Sequence, residues 1–289
     1  MIDELQRYPR TGRFLMGRLR DAMSQDEREL IEDLVDAEHS LAPGQAIARR
    51  GVLCGASTML IRGFAVRTIE RNGVRHIVGV QVPGDFVDLH GFALKRLDHD
   101  LLALGPVEIG QVPHGALRRV LDERPHLARL LWFSTLLDAA IHREWVLKLE
   151  QLPAPKRAAH VFCELWYRLE MVGLAQPDGF TIPLTQIELA SMCGSTPVHM
   201  SRALRNLRDL GVATFRNGHL QCPDRRAGHV SARRAGCAAA DGRRGAGVPS
   251  PHQHAILDGE WRTDFRRLLL RLQRYPFRGG VGLRFQHRQ

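Results

Sequence analysis

Basic and polar side chains recur along one side of a predicted helix that begins after Thr196. Pro197 occupies the first helical position, where its missing N–H is harmless, and apolar residues then repeat at intervals of three and four as far as Leu210. The remaining side carries Val198, His199, Ser201, Arg202, Arg205, Asn206 and Arg208. Arginine can donate two hydrogen bonds to guanine O6 and N7, and arginine or asparagine can also bind phosphates. This side therefore has the chemistry needed to contact the bases and backbone of DNA.

Two further signals place this helix in a larger motif. Upstream, Thr185 and Glu188 have the spacing of a capping box, and Ile187 begins the apolar face of a short helix that ends at a glycine corner, residues 193–195. Downstream, Asn217-Gly218 lies between two short strand-like runs, a strong signal for a β-hairpin. The helices alone fit a plain helical hairpin with a solvated basic face. The added hairpin favours a winged helix-turn-helix that binds DNA.

The predicted DNA contacts depend on a local cluster of charge. Residues 223–289 hold 14 of the 41 basic and 5 of the 31 acidic residues, which leaves 27 and 26 for residues 1–222. Affinity for DNA must therefore come from a few arginines, with Lys156 and Arg157 nearby in sequence, and not from a global field. The candidate DNA-binding residues are Thr185, Gln186, Thr196, Val198, His199, Ser201, Arg202, Arg205 and Arg216.

The chain before the motif is predicted to contain strands and then long helices. Ser24 and Glu27 form another capping-box pattern at a helix start. Between residues 39 and 113, short apolar or alternating runs are separated by glycine turns such as Asn72-Gly73 and Gly105-Pro106, which predicts an antiparallel roll or barrel. The fold class is α+β: an N-terminal, jelly-roll-like antiparallel β-roll, a long dimerisation helix and a C-terminal winged helix-turn-helix. The predicted ranges are 1–23 for an N-terminal segment, 24–124 for the roll, 125–152 for the long helix, 153–222 for the DNA-binding domain and 223–289 for a basic tail.

The long helix carries an apolar stripe. Its members alternate at spacings of three and four over three heptads, which is typical of a helix that pairs with its own copy. Burial of the same stripe against the roll is the alternative. Pro153 and Pro155 then interrupt the pattern before another helix from Lys156 to Met171. The stripe comprises Leu127, Leu130, Leu131, Ser134, Leu137, Asp138, Ile141, Trp145 and Leu149.

In this order of elements, residues 24–222 resemble the Crp/Fnr family of bacterial transcription regulators. The segment Val82-Pro83-Gly84-Asp85-Phe86 is similar to the family's Pro-Gly-Glu-Phe turn in the roll, and LTQIELASMCGSTPVHMSRALRNLRDLGV follows its helix-turn-helix pattern closely. The resemblance implies a homodimer in which an effector-sensing roll is coupled through paired long helices to two DNA-reading heads. It also implies double-stranded DNA as a partner, with half-site centres about 34 Å apart, and RNA polymerase as a candidate partner.

The roll departs from the cyclic-AMP receptors of that family. Those receptors hold the ribose with a Gly-Glu pair and the cyclic phosphate with an Arg-Ser pair, whereas this chain has residues 88–91, DLHG, and 98–102, DHDLL, in those regions. Aspartates there would repel an anion, so cyclic-nucleotide binding is not expected. The first cysteine is Cys54, so the N-terminal cysteine cluster of the iron–sulfur branch is also lacking. The candidate effector-pocket residues are Asp85, Asp88, His90, His99 and Asp100.

The recognition helix also departs from the family. Arg202 occupies the base-reading arginine position, but Val198 stands where the family commonly has a glutamate that contacts cytosine. Val198 can instead meet a thymine methyl, and His199 can reach a base edge or a phosphate. The operator is therefore expected to differ from the best-known ones.

The motifs indicate neither an enzyme nor a cofactor. A phosphate-binding glycine loop, a Gly-x-Ser-x-Gly elbow and an HExxH helix are lacking, and the five cysteines have no metal-ligand spacing. A metal or haem sensor is disfavoured because its candidate ligands are spread over the roll without tight spacing. The alternative function is a regulatory module that binds a ligand and a protein but not DNA. The metal-ligand candidates are His76, Asp85, Asp88, His90, His99, Asp100 and His114.

Residues 223–289 differ in composition from the rest of the chain. They are rich in Arg, Gly, Pro and His, and the first half has neither helical nor strand periodicity, which predicts a disordered basic tail. A shifted reading frame or an unselected extension would explain it, and a natural tail that adds non-specific DNA affinity is the alternative. The start of the chain lacks the apolar core of a signal peptide and no apolar run is long enough to cross a bilayer, so a cytoplasmic location is expected.

Overall fold

The computed structural model describes residues 2–222, and the predicted basic tail at 223–289 lies outside the described residues. Helices in the described part of the chain are all too short or too polar to span a membrane. The elements in chain order are α1 (Ile2–Arg7), a 3-10 turn (Arg20–Ala22), α2 (Gln25–Asp33), β1 (Ala37–Leu41), β2 (Ala46–Ala48), β3 (Ala56–Arg71), β4 (Val74–Gln81), α3 (Gly91–Leu94), β5 (Asp100–Pro113), α4 (His114–Glu123), α5 (Pro125–Gln151), α6 (Ala154–Met171), β6 (Gly179–Thr181), α7 (Gln186–Met192), α8 (Pro197–Asp209), β7 (Thr214–Arg216) and β8 (His219–Gln221).

The roll is an antiparallel sheet with the strand order β1-β5-β3-β4, and β2 pairs with β5. The expected break at Gly105-Pro106 is wrong, because β5 runs through it as one 14-residue strand. Register shifts in the pairing of β3 with β5 let these long strands bend. Gly63 lies at this bend with φ of +80°, and a Cβ there would be 2.3 Å from the Pro106 carbonyl oxygen. The bend therefore requires glycine.

The predicted hairpin tip at Asn72-Gly73 is confirmed. Arg71 pairs with Val74, and the two residues between them have φ of 52° and 73°. Positive φ at both central residues is the geometry of the tight turn that matches the twist of two antiparallel strands. This turn joins β3 to β4, the strand on which the C-terminal helices pack.

The apolar stripe predicted on α5 is buried within the chain itself. Its first part, Leu127 to Leu131, packs against the N-terminal segment, α2 and α4, and its second part, Leu137 to Trp145, packs against the roll and α6. Burial by the same chain, the alternative in the sequence, is thus what the structure shows for most of the stripe. Leu149 is the exception, since it is 38% exposed.

The opposite side of α5 carries a second set of apolar residues, which point to solvent. Trp132 is 64% exposed, Leu136 51% and Val146 68%. Together with Ala139 and Arg143, which are also exposed, they are spaced by four, three, four and three residues. We call these five residues the outer seam of α5.

The winged helix-turn-helix shares a core with the roll. One continuous apolar cluster includes Val80 of β4, Ile141 of α5, Leu165 of α6 and Leu189 of α7. A hydrogen bond of 2.9 Å from the Ile77 backbone N–H to the Ser191 hydroxyl also joins β4 to α7. The helix-turn-helix therefore packs directly on the roll and on α5.

Candidate DNA-binding surface and sensing site

The first helix of the motif, α7, begins with the predicted capping box. The Thr185 hydroxyl accepts a hydrogen bond from the Glu188 N–H at 3.2 Å, and the Glu188 carboxylate accepts one from the Thr185 N–H at 2.7 Å. These bonds satisfy two backbone donors that the helix leaves free. Gly194, with φ of +55°, turns the chain towards α8, as expected from the glycine corner.

The second helix, α8, is held by a cap at one end and by burial along one side. The Thr196 hydroxyl accepts from the His199 N–H at 3.3 Å, and Pro197 follows at the first helical position. Met200, Ala203, Leu204 and Leu207 form its buried side. Leu210 was expected to join them but is 39% exposed, because the helix ends at Asp209 and the chain turns away.

The other side of α8 is open to solvent. Within the described part of the chain, neither Arg202 nor Arg205 makes a hydrogen bond or an ion pair, whereas Arg208 contacts Asp209 at 3.5 Å. The described chain therefore leaves two unpaired guanidinium groups on one helix side, ready to meet a base edge or a phosphate. The exposed residues of this surface, which we call the α8 face, are Val198, His199, Ser201, Arg202, Arg205 and Arg208.

The remaining predicted contact residues surround this face. Thr185 and Thr196 are exposed but use their hydroxyls as helix caps, and Gln186 is exposed at the start of α7. Arg216 is exposed on β7 beside the tight turn of the wing, where Asn217 has φ of 48° and the next residue 76°. The wing hairpin is therefore present as predicted. Ile187 was expected on the apolar side of α7 but is 69% exposed.

Arg157 does not belong to this basic cluster, although it is close in sequence. Its guanidinium donates to the carbonyl oxygens of Leu149 at 2.7 Å, Leu152 at 2.6 Å and Cys193 at 3.0 Å. It thus ties the end of α5 to the turn between α7 and α8. Carbonyl groups at a helix C-terminus attract cations, which is the signal that could have identified this role from sequence.

Lys148 makes a second tie between α5 and the helix-turn-helix. It is 1% exposed, its ammonium lies 3.7 Å from the centre of the Trp145 ring, and it donates to the Met192 carbonyl oxygen at 3.3 Å. Burial lowers the pKa of this lysine to about 8. Sequence reasoning missed Lys148, because a lysine in an amphipathic helix normally faces solvent.

Three of the five predicted effector-pocket residues are engaged in holding the roll. Asp85 accepts a hydrogen bond from the guanidinium of Arg168 on α6. Asp88 is 4% exposed and accepts from the backbone N–H and the hydroxyl of Thr58, and burial raises its pKa to about 6. The Asp100 carboxylate accepts a hydrogen bond of 2.8 Å from the backbone N–H of Arg50, which follows β2. The structure does not bring these three carboxylates together in one pocket.

The other two, His90 and His99, do lie together. Their ring centres are 5.4 Å apart, and one ligand atom each from His90, Asp98 and His99 lies within 4.8 Å of the other two. His99 is 5% exposed, and its Nδ1 lies 2.7 Å from an Asp98 carboxylate oxygen. Burial lowers the pKa of His90 to about 4 and also lowers the pKa of His99, so both rings are neutral at neutral pH.

A buried arginine connects this pair of histidines to α5. Arg67 of β3 is 3% exposed, pairs with the Asp138 carboxylate of α5 and donates to the Val87 carbonyl oxygen at 2.7 Å. Arg67 and Asp138 both act electrostatically on His90 and His99. The sequence offered one clue to this pair, an aspartate within the apolar stripe of α5, because a buried carboxylate requires a partner.

The sequence of this chain is similar to a known domain model and to those of several known proteins. Residues 156–227 match the model of the Crp-like helix-turn-helix domain. A protein of Rhizobium leguminosarum bv. viciae named "Probable transcriptional activator" is 30% identical over 154 residues, 53% of this chain and 63% of that protein. The transcriptional activator protein FnrL of Cereibacter sphaeroides is 28% identical over 179 residues, 60% of this chain and 71% of that protein. The chain thus spans less than two thirds of the first relative's length.

A solved structure shows the same fold. The structure of FixK2 from Bradyrhizobium japonicum superposes with a TM-score of 0.59 at 19% identity, covering 67% of this chain and 96% of that one. At this identity the likeness concerns the fold alone. The predicted α+β class, with an antiparallel roll followed by helices and a winged helix-turn-helix, is confirmed.

Proposed function

We propose that this chain, whose residues 156–227 match the Crp-like helix-turn-helix domain, is a transcription regulator of the Crp/Fnr type. It binds a two-fold symmetric operator as a homodimer and alters transcription when its roll receives a signal. The observation that carries the proposal is the α8 face: two arginines with no partner among the described residues lie on a helix fixed from behind by a continuous core. Such a helix can enter the major groove without first reorganising. RNA polymerase is the further partner that an activator at such an operator would meet, and the cytoplasm is the proposed location.

The outer seam of α5 supports the homodimer. Its large apolar members are each more than half exposed, and their spacing repeats along one line of the helix. An apolar line of this kind is stabilised when it packs against an identical helix, and two-fold pairing places the same surface on both sides. The pairing surface proposed here is thus the side opposite to the stripe expected from the sequence.

The signal proposed for the roll is neither cyclic AMP nor an iron–sulfur cluster. Arg67, which acts on both histidines of the candidate pocket, is buried and already paired with Asp138, so it does not offer its charge to a cyclic phosphate. The described cysteines, Cys54, Cys163, Cys193 and Cys222, are spread over the roll, α6 and the helix-turn-helix. A cluster held by cysteines needs several of them close together.

Selection of bound DNA from a random pool tests the proposed function. Purified full-length protein is mixed with the pool, and the retained sequences are scored for a two-fold symmetric site with half-site centres about 34 Å, or one helical turn, apart. A symmetric site supports the homodimeric regulator. Retained sequences without any preference would favour the alternative, a ligand-sensing module that acts through protein contacts alone.

A further inference from the structure

His90, Asp98 and His99 form a cluster of metal-ligating side chains outside the DNA-binding surface. One ligand atom from each lies within 4.8 Å of the other two. The turn at α3 brings them together, because the helix spans only Gly91–Leu94 and Lys95 then adopts a left-handed conformation with φ of 66°. The chain reverses direction there, and His99 returns towards His90.

A second observation concerns His99 alone. The residue is 5% exposed, and its Nε2 has no hydrogen-bond partner among the described residues. A buried polar nitrogen without a partner costs free energy. Its Nδ1, by contrast, lies 2.7 Å from the Asp98 carboxylate. A histidine that binds a metal through one nitrogen commonly donates the other N–H to a carboxylate, and His99 has this arrangement.

We propose that His90 and His99 bind one divalent first-row transition-metal ion, with Asp98 as the carboxylate that orients His99. Zn²⁺ fits best among these ions, because imidazole and carboxylate are two of its usual ligands and it imposes no geometry of its own beyond a tetrahedral preference. The sequence predicted no metal, since the histidines lack a recognised motif spacing.

The geometry of the cluster allows a modest closure around an ion. Zinc–nitrogen bonds of about 2.0–2.1 Å place tetrahedral ligand atoms about 3.4 Å apart, so the 4.8 Å limit of the cluster must shorten. His90 can supply much of this movement, because it is only partly buried. His99 stays in place, because its ring is packed in the roll.

Charged groups near the two histidines connect the site to α5. The carboxylates of Asp98 and Asp138 and the guanidinium of Arg67 all act electrostatically on both rings. An added dication would repel Arg67, the side chain that joins β3 to Asp138 of α5. Binding of a metal ion would in this way affect the contact between β3 and α5, and through α5 the helices that pack on it. This regulatory consequence, unlike metal binding itself, rests on the proposed function.

Metal binding is tested with the full-length protein and without DNA. Co²⁺ is titrated as a spectroscopic probe, and Zn²⁺ affinity is measured by competition with a chromogenic chelator. The chain has 14 histidines, so binding is scored as the difference between the wild type and variants. We expect His90→Gln and His99→Gln to weaken binding by more than about 100-fold, and Asp98→Asn by about 10–100-fold, the range seen for groups that orient a ligand.

Two further variants serve as controls for the metal titration. His76→Gln changes an exposed histidine on β4 outside the cluster and should bind metal as the wild type does. His90→Cys keeps a zinc ligand at the same position, so it should retain the ion and add a thiolate band to the Co²⁺ spectrum. Equal metal binding by the wild type, His90→Gln and His99→Gln would overturn the proposal.

The regulatory consequence is tested on the operator returned by the selection experiment. Zn²⁺ should change the operator affinity of the wild type and of His76→Gln by at least about fivefold, the lower end of typical couplings between sites, and should leave His90→Gln unchanged. A metal-loaded protein with unaltered affinity overturns the link to α5 and leaves the site standing. A metal-loaded protein that binds no DNA sequence overturns the proposed function and not the metal site.

Discussion

Arg202 is held at the surface by the burial of the residues beside it. Ala203 and Leu204 are 3% and 8% exposed, so α8 cannot rotate about its axis without exposing apolar surface. The guanidinium therefore points outward before any DNA is present. A helix whose orientation is fixed in advance loses less conformational entropy on binding.

Arg202→Ala should weaken operator binding by about 1–3 kcal/mol, the range for loss of a bidentate contact to guanine. Fluorescence anisotropy with the selected operator measures the loss, together with binding to an unrelated duplex. Arg119→Ala, an exposed arginine on α4, is the matched control and should bind as the wild type does. Equal affinity of Arg202→Ala and Arg119→Ala would remove the α8 face from the interface.

His160 should make the folded protein sensitive to acid. It is 8% exposed on α6, where Glu164 and Lys148 act on it, and burial lowers its pKa to about 4 from the ordinary 6.5. The unfolded chain therefore takes up a proton at this residue near pH 6.5 and the folded chain only near pH 4. Stability is lost as the pH falls through this window, by up to about 3 kcal/mol.

Urea unfolding of the wild type at several pH values between 4 and 7 measures this loss. His160→Gln removes the titrating ring and should show a shallower decline over the same window, whatever its stability at pH 7. The exposed His76→Gln should retain the slope of the wild type. If all three proteins lose stability in parallel, another group is responsible for the acid sensitivity.

At the scale of elements, α7 depends on its capping box more than a long helix would. It has only seven residues, so its unpaired terminal N–H groups are a large fraction of its backbone donors. Thr185→Ala should lower the free energy of unfolding by about 0.5–2 kcal/mol, as for other helix caps. Chemical denaturation without DNA measures this effect. Thr185→Ser keeps the hydroxyl acceptor and should stay close to the wild type; an equal loss in both variants would argue against the cap.

The two sides of α5 show where sequence reasoning about this element succeeded and where it failed. The helix and its apolar period were predictable, because Leu127 to Trp145 repeat at helical spacing. The sequence could not show which side of α5 is covered by the rest of the chain, because Trp132, Leu136 and Val146 form an equally regular apolar line. Two apolar lines on one helix compete for the interior, and only the packing of the roll and α6 decides which one is covered.

At the scale of the whole molecule, pairing through the outer seam is what we expect to join two DNA-reading heads. The double variant Trp132→Glu/Leu136→Glu places charges in the seam and should yield a monomer in sedimentation equilibrium, because burying an unpaired carboxylate is costly. Both positions are more than half exposed, so the fold should persist. Operator affinity should fall as well, since one half-site contact is lost.

Leu121→Glu is the control for this change. Leu121 is an apolar residue of α4 that is 40% exposed and lies outside the outer seam. It should leave the protein dimeric and its operator affinity unchanged. A double variant that sediments as the wild type does would show that the subunits pair through a different surface, and with it the proposed role of the seam would be lost.

The helix-turn-helix could be predicted from sequence because its determinants are local. Capping residues, a glycine corner and an Asn-Gly turn each act within a few residues of themselves, so Thr185, Gly194 and Asn217 specify their own backbone geometry. The candidate sensing site has no such local rule. His90 and His99 are nine positions apart in the chain, and their meeting depends on the reversal at Lys95 and on the burial of His99 in the roll.

By itself, the amino-acid sequence determined the order of elements, the caps and turns, and the side chains that α8 exposes to solvent, because these follow from interactions between near neighbours. Only the tertiary structure decided which line of α5 is buried, which carboxylates of the roll are already paired, and that Arg67, Asp138 and the two histidines share one site. Those outcomes depend on contacts between residues up to about a hundred positions apart. Such contacts are set by the packing of whole elements, which decides at once which side chains are buried and which charged groups are paired.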